Sequence, residues 1–413
     1  MAYIVFVQPA VLANAGMDPG AVLVATCVAS AIATLLMGVL ANYPIGVAPA
    51  MGHNFFFAFT VVVGSGVPWR TALGAVAIAG SIFILTAGFG LRERLMIAVP
   101  DSIKHAIGAG IGLLITLIGL EWSGIVVDAP GTLVTLGPLG SRPVLLALGT
   151  LAVMAVLWAR GVKAALLLGM LASTAAAWAM GLTSYVGIVA APPSIAPTFL
   201  QLDILGALRP DLLGVTLVFF LLALFDSIGT LIGIAGRMGV VRNGTMPRAR
   251  EALLADAIGT VAGAALGTST VTAYIESSSG VASGGRTGLA AVVTASLFCL
   301  ALFFHPLVKM IGGGVDIGNQ VTLYPSVAPA LVLVGVMMMQ SVREIRWDDA
   351  TDAVPAFLTM VVMPLAVSIT DGIAFGLISI VVLKIATRRA RELHGLVYVF
   401  AAVFLLRYLL GLR

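Results

Sequence analysis

Two acidic residues in apolar surroundings are the strongest candidates for chemistry in this sequence. Asp226 lies in the middle of an apolar segment, Leu212–Ala235, and Glu276 lies between two further apolar segments. Carboxylates at membrane depth are costly and usually mark a substrate site or a proton pathway. The sequence therefore predicts that Glu276 binds substrate and that Asp226 binds substrate or carries a proton. A structural carboxylate, paired with a hydroxyl or a backbone group, is the alternative at each position.

The stretch around Glu276, Gly267–Gly288, does not have the pattern of a lipid-facing helix. Its first part, Thr268–Ile275, is rich in β-branched residues and predicts a short extended piece. The serines that begin at Ser277 are expected to cap a short helix. Non-helical backbone at membrane depth occurs only where protein buries it or where it lines a cavity. The stretch therefore predicts half of a substrate site on a broken helix, where Tyr274 can stack on a planar ligand.

A second stretch, residues 41–66, repeats this arrangement: prolines, a short extended piece, the polar pair His53 and Asn54, and a half-helix. Either polar residue can cap the half-helix or contact substrate. Phe55–Phe57 are expected to pack in the core. Asp256 is expected to be structural, because it lies near a predicted helix start, where an acid complements the helix dipole.

Composition identifies the elements that must position these residues. The 413 residues are 60% hydrophobic and 10% charged, whereas soluble domains average about 25% charged residues. Apolar runs of about 20 residues indicate membrane helices and not the alternating strands of an outer-membrane barrel. The net charge of +4 resides in loops between the runs, so no nucleic-acid partner is expected. The two cysteines lie inside apolar runs, the four histidines do not cluster, and no metal or cofactor motif is present.

The apolar runs predict an all-α polytopic membrane protein with about fourteen transmembrane segments, of which segments 3 and 10 are broken by short extended pieces. In chain order the segments are residues 1–16, Val22–Leu40, 41–66, Ala72–Leu91, Ile103–Leu120, Val144–Ala159, Ala164–Leu182, Leu212–Ala235, Ala252–Leu266, Gly267–Gly288, Thr287–Val308, Ala328–Met339, Val354–Ser368 and Ile373–Ile385. A last apolar run, Leu396–Leu410, either spans or lies on the surface.

The polar residues of these segments indicate an internal repeat. Gln8 precedes Asn54 by about the same distance as Asp226 precedes Glu276. Seven segments in each half place the second half in the membrane upside down, which predicts two inverted repeats. With the N-terminus inside, most basic loop residues also lie inside, as the positive-inside rule requires.

Six long motifs follow one another along almost the whole chain: MAYIVFVQPAVLANAGMD, ANYPIGVAPAMGHNFFFAFTVV, IKHAIGAGIGLLITLIGL, LFDSIGTLIGIAG, TAYIESSSGVASGGRTGL and PAFLTMVVMPLAVSITDGIAFG. These motifs resemble the AzgA-type purine permeases. That family is the hypoxanthine, guanine and adenine branch of the nucleobase–cation symporter superfamily. The resemblance implies a substrate site at Asn54, Asp226 and Glu276, and elevator-type alternating access.

The resemblance also implies a core domain and a gate domain, each in two parts, and a possible homodimer formed through the gate helices. The core is residues 1–100 and 211–312, the gate is residues 101–190 and 325–390, and an apolar tail is residues 391–413.

Some positions depart from the family pattern. Ala223 stands where a second acid often lies one turn before the aspartate, His53 replaces an apolar residue, and Gln8 stands where asparagine is common. These departures bear on substrate choice and on proton coupling.

The function expected is a secondary active transporter that imports hypoxanthine, guanine or adenine by proton symport, located as a multi-pass protein in the inner cell membrane. No cofactor, metal ion or enzymatic activity is expected. The alternatives are a uracil, xanthine or anion transporter of the same fold, an intramembrane enzyme that uses Asp226 and Glu276, and a channel. The predicted substrate-binding residues are Glu276, Asp226, Asn54, His53, Tyr274 and Ser277, with Asp226 as the proton carrier.

The first segment carries an expectation about the chain start. Its apolar part is short for a hydrocarbon core of about 30 Å, and the repeat requires Gln8 to lie at the depth of Asp226. The sequence therefore predicts that the functional protein begins upstream of Met1, or that a chain starting at Met1 has lower stability.

Overall fold

The structure, a computed structural model, describes residues 1–89, 100–129, 131–240, 246–318 and 321–409. Outside these ranges lie the predicted ends of segment 4 and of the last apolar run, together with several basic residues of the loops and the C-terminus. They are Leu91, Leu410, Arg92, Arg94, Arg242 and Arg413.

Helices make up most of the described chain, and their order follows the predicted segments. They are α1 (Ile4–Ala13), α2 (Pro19–Leu36), α3 (Met51–Phe55), α4 (Trp69–Phe89), α5 (Asp101–Trp122), α6 (Arg142–Ala159), α7 (Ala165–Ala179), α8 (Ile204–Ala207), α9 (Leu213–Met238), α10 (Ala249–Leu266), α11 (Ser277–Ala282), α12 (Leu289–Ala301), α13 (His305–Gly312), α14 (Ala328–Met338), α15 (Ala350–Leu365), α16 (Ile369–Ala386) and α17 (Gly395–Leu409). Two of them continue as π-helices, α2 through Met37–Ala41 and α3 through Phe56–Gly64.

The helices have the length and composition of a membrane protein. Among the described residues, seven helical stretches are long and apolar enough to span a membrane, and five shorter helical stretches are also apolar. The mostly helical architecture with several apolar helices is therefore confirmed. The number of fourteen crossings and the inverted repeat stay predictions.

Two short strands meet where segments 3 and 10 are broken. β1 (Val47–Pro49) pairs antiparallel with β4 (Val271–Ala273), and Val47 lies opposite Ala273. Backbone hydrogen bonds extend the pair at both ends, from Ala50 to Thr270 and from Tyr274 to Gly46, each 3.0 Å long. The pair supplies the backbone partners that a helix would otherwise provide at this depth.

The break in segment 10 differs in two details from the prediction. Its extended piece is the three residues of β4, because Tyr274–Glu276 turn directly into α11. The serines that follow lie inside α11 and do not cap it. Ser277 instead accepts a 3.0 Å hydrogen bond from the Gly46 amide, and Ser278 donates to the Ile275 carbonyl. The hydroxyls therefore connect backbone groups around the two breaks.

The helices pack in two groups. In the first, α2 packs on α10 and α12, α4 packs on α9 and α10, and α1 packs on α2 and α13. In the second, α5 packs on α14 and α15, α15 packs on α16, and α6 packs on α7 and α14. Both broken segments belong to the first group. Two further hairpins lie in loops. The first, β2 (Val126–Ala129) with β3 (Leu133–Leu136), connects α5 to α6, and the second, β5 (Val315–Asp316) with β6 (Thr322–Leu323), connects α13 to α14.

Candidate substrate site

A small cavity lies at the end of the β1–β4 pair. Its volume is about 130 Å³, and its polar walls are Tyr3, Asp226, Thr230, Thr272 and Glu276. The first break contributes Ala50, Met51 and Gly52, and α14 of the second helix group contributes Val334 and Met338. The cavity is therefore bounded by both helix groups and both broken segments.

Glu276 stands at the turn between β4 and α11, and its side chain is half-buried. The Tyr3 hydroxyl donates a 2.7 Å hydrogen bond to its Oε1 atom. Tyr3 precedes α1 and is only 3% exposed, so a fixed side chain holds the carboxylate. A hydrogen bond of this kind to an ionised acceptor is stronger than a neutral one.

Asp226 faces the same cavity from α9. The Thr272 hydroxyl of β4 donates a 2.9 Å hydrogen bond to its Oδ2 atom. The accessible surface of Asp226 faces two cavities, the small one and a larger one of about 450 Å³. Asp226 is exposed by its accessible surface, so its carboxylate is open to a small ligand or to water.

Tyr274 also lines the small cavity, and its hydroxyl donates to the Pro49 carbonyl. The rings of Tyr274 and Tyr3 lie 6.4 Å apart at 52°. Tyr274 therefore offers ligand an aromatic surface, and its polar atom stabilises the first break.

Asn54 and Ser277 do not line either cavity. Asn54 is fully buried and accepts a hydrogen bond from the Ser269 hydroxyl. Gln8 donates to Thr268 at 3.0 Å and to Ser269 at 3.3 Å. These residues form a polar cluster behind the strands that ties α1 and α3 to the start of segment 10. Asn54, Gln8 and Ser277 thus support the backbone around the cavity.

His53 lines the larger cavity and is 2% exposed. Gly52 beside it brings the first break against α5, because a Cβ atom there would lie 2.7 Å from Ile111 Cγ2. The structure therefore brings Glu276, Asp226 and Tyr274 together at the small cavity and places His53 at the larger one.

Asp256 lies deeper in the protein than the sequence suggested. It is fully buried about two turns beyond the start of α10, against the Ser227 side chain and the Ala273 backbone. The predicted interaction with the helix dipole at the first turn is therefore wrong.

Sequence reasoning missed Tyr3, Thr230 and Thr272. Tyr3 lies 273 positions from Glu276, and no local pattern connects the two. The one available signal was the alternation of β4, which places Thr272 on the face opposite Val271 and Ala273.

The two cavities adjoin, since Gly52, Asp226, Thr230 and Met338 line both. The larger cavity extends to Asp101 at the start of α5, whose side chain is 83% exposed. The larger cavity therefore reaches the surface at this end of the molecule and shares four lining residues with the small one.

Aromatic side chains fill the space between the two helix groups near the other end of α5. Trp122 packs on Tyr324 at 4.6 Å, on Phe59 at 6.0 Å and on Phe55 at 6.3 Å between ring centroids. Phe55 and Phe59 belong to the first helix group, and Trp122 and Tyr324 to the second. We call these four residues the aromatic cluster.

Residues 1–375 match a family model described as "Permease family", that of the xanthine/uracil permeases. The chain belongs to the xanthine/uracil permease family. This permease is 48% identical to a putative permease of Methanocaldococcus jannaschii, over 99% of this chain and 92% of that one. It is 44% identical to the adenine permease AdeP of Escherichia coli, over 98% of this chain and 89% of that one. It is 43% identical to the guanine/hypoxanthine permease PbuG of Bacillus subtilis, over 99% of this chain and 93% of that one.

Solved structures show the same fold at low sequence identity. The transmembrane domain of the cyanobacterial bicarbonate transporter BicA superposes with a TM-score of 0.62 at 16% identity, over 91% of this chain and 95% of that one. The murine anion transporter Slc26a9 superposes with a TM-score of 0.62 at 11% identity, over 93% of this chain and 66% of that one. The resemblance expected from the motifs is confirmed. The protein is a multi-pass membrane permease of the nucleobase type, and its relatives indicate a transporter rather than an enzyme.

Proposed function

We propose that this permease imports purine nucleobases by proton symport across the inner cell membrane. The observation that carries the proposal is the small cavity, where Glu276 and Asp226 meet at the paired breaks. Relatives at 41–44% identity are named adenine or guanine/hypoxanthine permeases. A planar base with several N–H groups is complementary to two carboxylates and an aromatic wall.

Glu276 and Asp226 bind the base from two sides. Each carboxylate has one oxygen held by a protein hydroxyl, from Tyr3 and from Thr272 respectively. The other oxygen of each accepts a hydrogen bond from a purine N–H group. When Asp226 carries the proton, the proton lies on Oδ2 and Oδ1 remains the acceptor. The ring of Tyr274 covers one face of the base.

Asp226 carries the coupled proton. It borders both cavities, so water in the larger one reaches it while the base occupies the smaller. A neutral Asp226 costs less to move through the membrane than a charged one. Binding of proton and base at adjoining sites favours their movement together.

Transport proceeds by an elevator movement of a core against a gate. The first helix group corresponds to the core, residues 1–100 and 211–312, and the second to the gate, residues 101–190 and 325–390. The polar cluster and the β1–β4 pair connect parts of the core only, so they can move with the substrate. The aromatic cluster joins core and gate and has to separate for the site to open at that end.

The direction of opening follows from the predicted topology. The start of α5, where the larger cavity reaches the surface, is cytoplasmic if the N-terminus is inside. The structure then corresponds to an inward-facing state, closed on the outside by the aromatic cluster. A homodimer through gate helices leaves the core free to move.

Uptake of labelled hypoxanthine, guanine and adenine into cells that lack their own purine permeases tests this function. We expect saturable accumulation of chemically unchanged base, abolished by a protonophore. Unlabelled hypoxanthine, guanine and adenine should compete, and uracil, xanthine and bicarbonate should not. Absence of purine uptake by inserted protein, or accumulation that the protonophore leaves unchanged, contradicts purine transport or proton coupling, respectively.

A further inference from the structure

The hydrogen bond between Tyr3 and Glu276 makes the two carboxylate oxygens unequal as acceptors for a ligand. Tyr3 holds Oε1 at 2.7 Å, and among the described residues no other hydrogen bond reaches the carboxylate. Tyr3 is buried and lines the small cavity. A ligand in this cavity therefore meets one oxygen of Glu276 that already accepts a hydrogen bond and one that accepts none from the described residues.

The neighbouring tyrosine does not share this role. Tyr274 lines the same cavity, but its hydroxyl donates to the Pro49 carbonyl. The centroids of the two rings lie 6.4 Å apart and their planes are inclined by 52°, so the two rings have different orientations. Of the two phenols, only that of Tyr3 contacts the carboxylate.

Purines differ in the donors that they can present to a carboxylate. Guanine has two adjacent donors, the N1–H group and the 2-amino group, which match two available carboxylate oxygens in a bidentate pair. Hypoxanthine has N1–H without the amino group, and adenine has its 6-amino group beside the acceptor N1. The Tyr3 hydroxyl occupies one of the two acceptor positions of Oε1, so this oxygen accepts a second hydrogen bond less readily than the other, and the carboxylate suits a single-donor edge better than the guanine edge.

We propose that Tyr3 is a positioning residue that sets the purine preference of this permease. By engaging Oε1 of Glu276, its hydroxyl favours hypoxanthine and adenine over guanine. The proposal rests on the proposed function, since it assumes that purines bind at Glu276.

The Tyr3→Phe variant tests the proposal, because it removes the hydroxyl and keeps the ring. We expect the ratio of the KM for guanine to the KM for hypoxanthine to fall about tenfold, the order of one hydrogen bond to a charged group. A structural defect would lower the rate for both bases and leave the ratio unchanged.

Tyr398→Phe is the matched control. Its hydroxyl donates a 2.7 Å hydrogen bond to the Ala390 carbonyl near α17, away from the cavity. Both KM values should stay at their wild-type levels in this variant. A fall of the ratio in the control as well would contradict a specific role of Tyr3.

Two outcomes separate this inference from the function on which it rests. If wild-type protein transports no purine, the proposed function fails. If it transports purines and the ratio in Tyr3→Phe stays within about twofold of wild type, the role of Tyr3 alone is overturned. Should Tyr3→Phe transport too slowly, thermal shifts of purified protein with guanine and with hypoxanthine give the ratio of the two dissociation constants, which should fall in the same direction. If Tyr3→Phe and Tyr3→Leu both fail to insert, Tyr3 is structural and the inference is wrong.

Discussion

The two broken segments have similar backbones and different chemistry. Each contains a three-residue strand followed by a short α-helix, which at the first break continues as a π-helix, and the strands pair. At the first break, Asn54 bonds Ser269 and contributes no atom to the small cavity. At the second, Glu276 faces the cavity and Thr272 orients Asp226. The first break therefore contributes backbone wall and structural support to the cavity, whereas the second contributes polar groups that can bind a ligand.

The largest effect is expected at the second break, from Glu276→Gln. The amide replaces an acceptor by a donor, which faces the donor of the base. Loss of one or two hydrogen bonds to a charged group corresponds to a decrease of about 100-fold in the kcat/KM of purine uptake. Uptake assays normalised to the amount of inserted protein measure this decrease in kcat/KM. Glu251→Gln, in the first turn of α10, is the control. Wild-type uptake by Glu276→Gln would remove this residue from the site.

Asp226→Asn is expected to separate binding from coupling. Asparagine keeps the shape and one acceptor but cannot carry a proton. Accumulation against a gradient should stop, while the affinity for hypoxanthine falls by less than about tenfold. Counterflow and binding measurements with purified protein distinguish the two quantities, and Asp211→Asn is the control. Unchanged proton-driven accumulation would assign coupling to another residue, with His53 the next candidate.

Comparison of these two residues with the first break indicates which site residues can be predicted from the sequence. Glu276 and Asp226 could be predicted, because a carboxylate in an apolar run has few roles at that depth. The directions in which the Asn54 and Ser277 side chains point could not be predicted. A polar side chain at a break can equally face a ligand or hydrogen-bond the surrounding protein. Tyr3 could not be predicted either, because its partner lies in the other half of the chain.

The fold was predictable to a similar extent. Runs of about 20 apolar residues located the long helices, and prolines and β-branched residues located the two breaks. The pairing of β1 with β4 and its three-residue length depend on contacts between the halves. The aromatic cluster likewise depends on how the helix groups meet, which periodicity does not specify.

An intermediate effect is expected at the first break, from Asn54→Ala. The change leaves the buried Ser269 hydroxyl without its acceptor, which costs about 1–3 kcal/mol of stability. Thermal unfolding of purified protein should shift downward and maximal uptake should fall, with the half-buried Ser379→Ala of α16 as the control. The relative KM values of the purines should not change. A changed purine preference would mean that Asn54 contacts the base and that the two breaks share the binding role.

The smallest effect is expected from His53→Leu. His53 lines the larger cavity and not the small one, and leucine matches the apolar residue of the family pattern. Purine uptake should stay within about threefold of wild type, as for changes away from a binding site. Uptake at several external pH values measures it. A loss comparable to that of Asp226→Asn would place proton coupling at His53 and weaken the contrast between the breaks.

The most direct test of the central claim is an experimental structure of the purified permease with bound hypoxanthine. The account predicts a planar ligand in the small cavity, with N–H groups within about 3.2 Å of Glu276 and Asp226 and a face against Tyr274. A ligand bound outside this cavity, with neither carboxylate in hydrogen-bond distance, would contradict it.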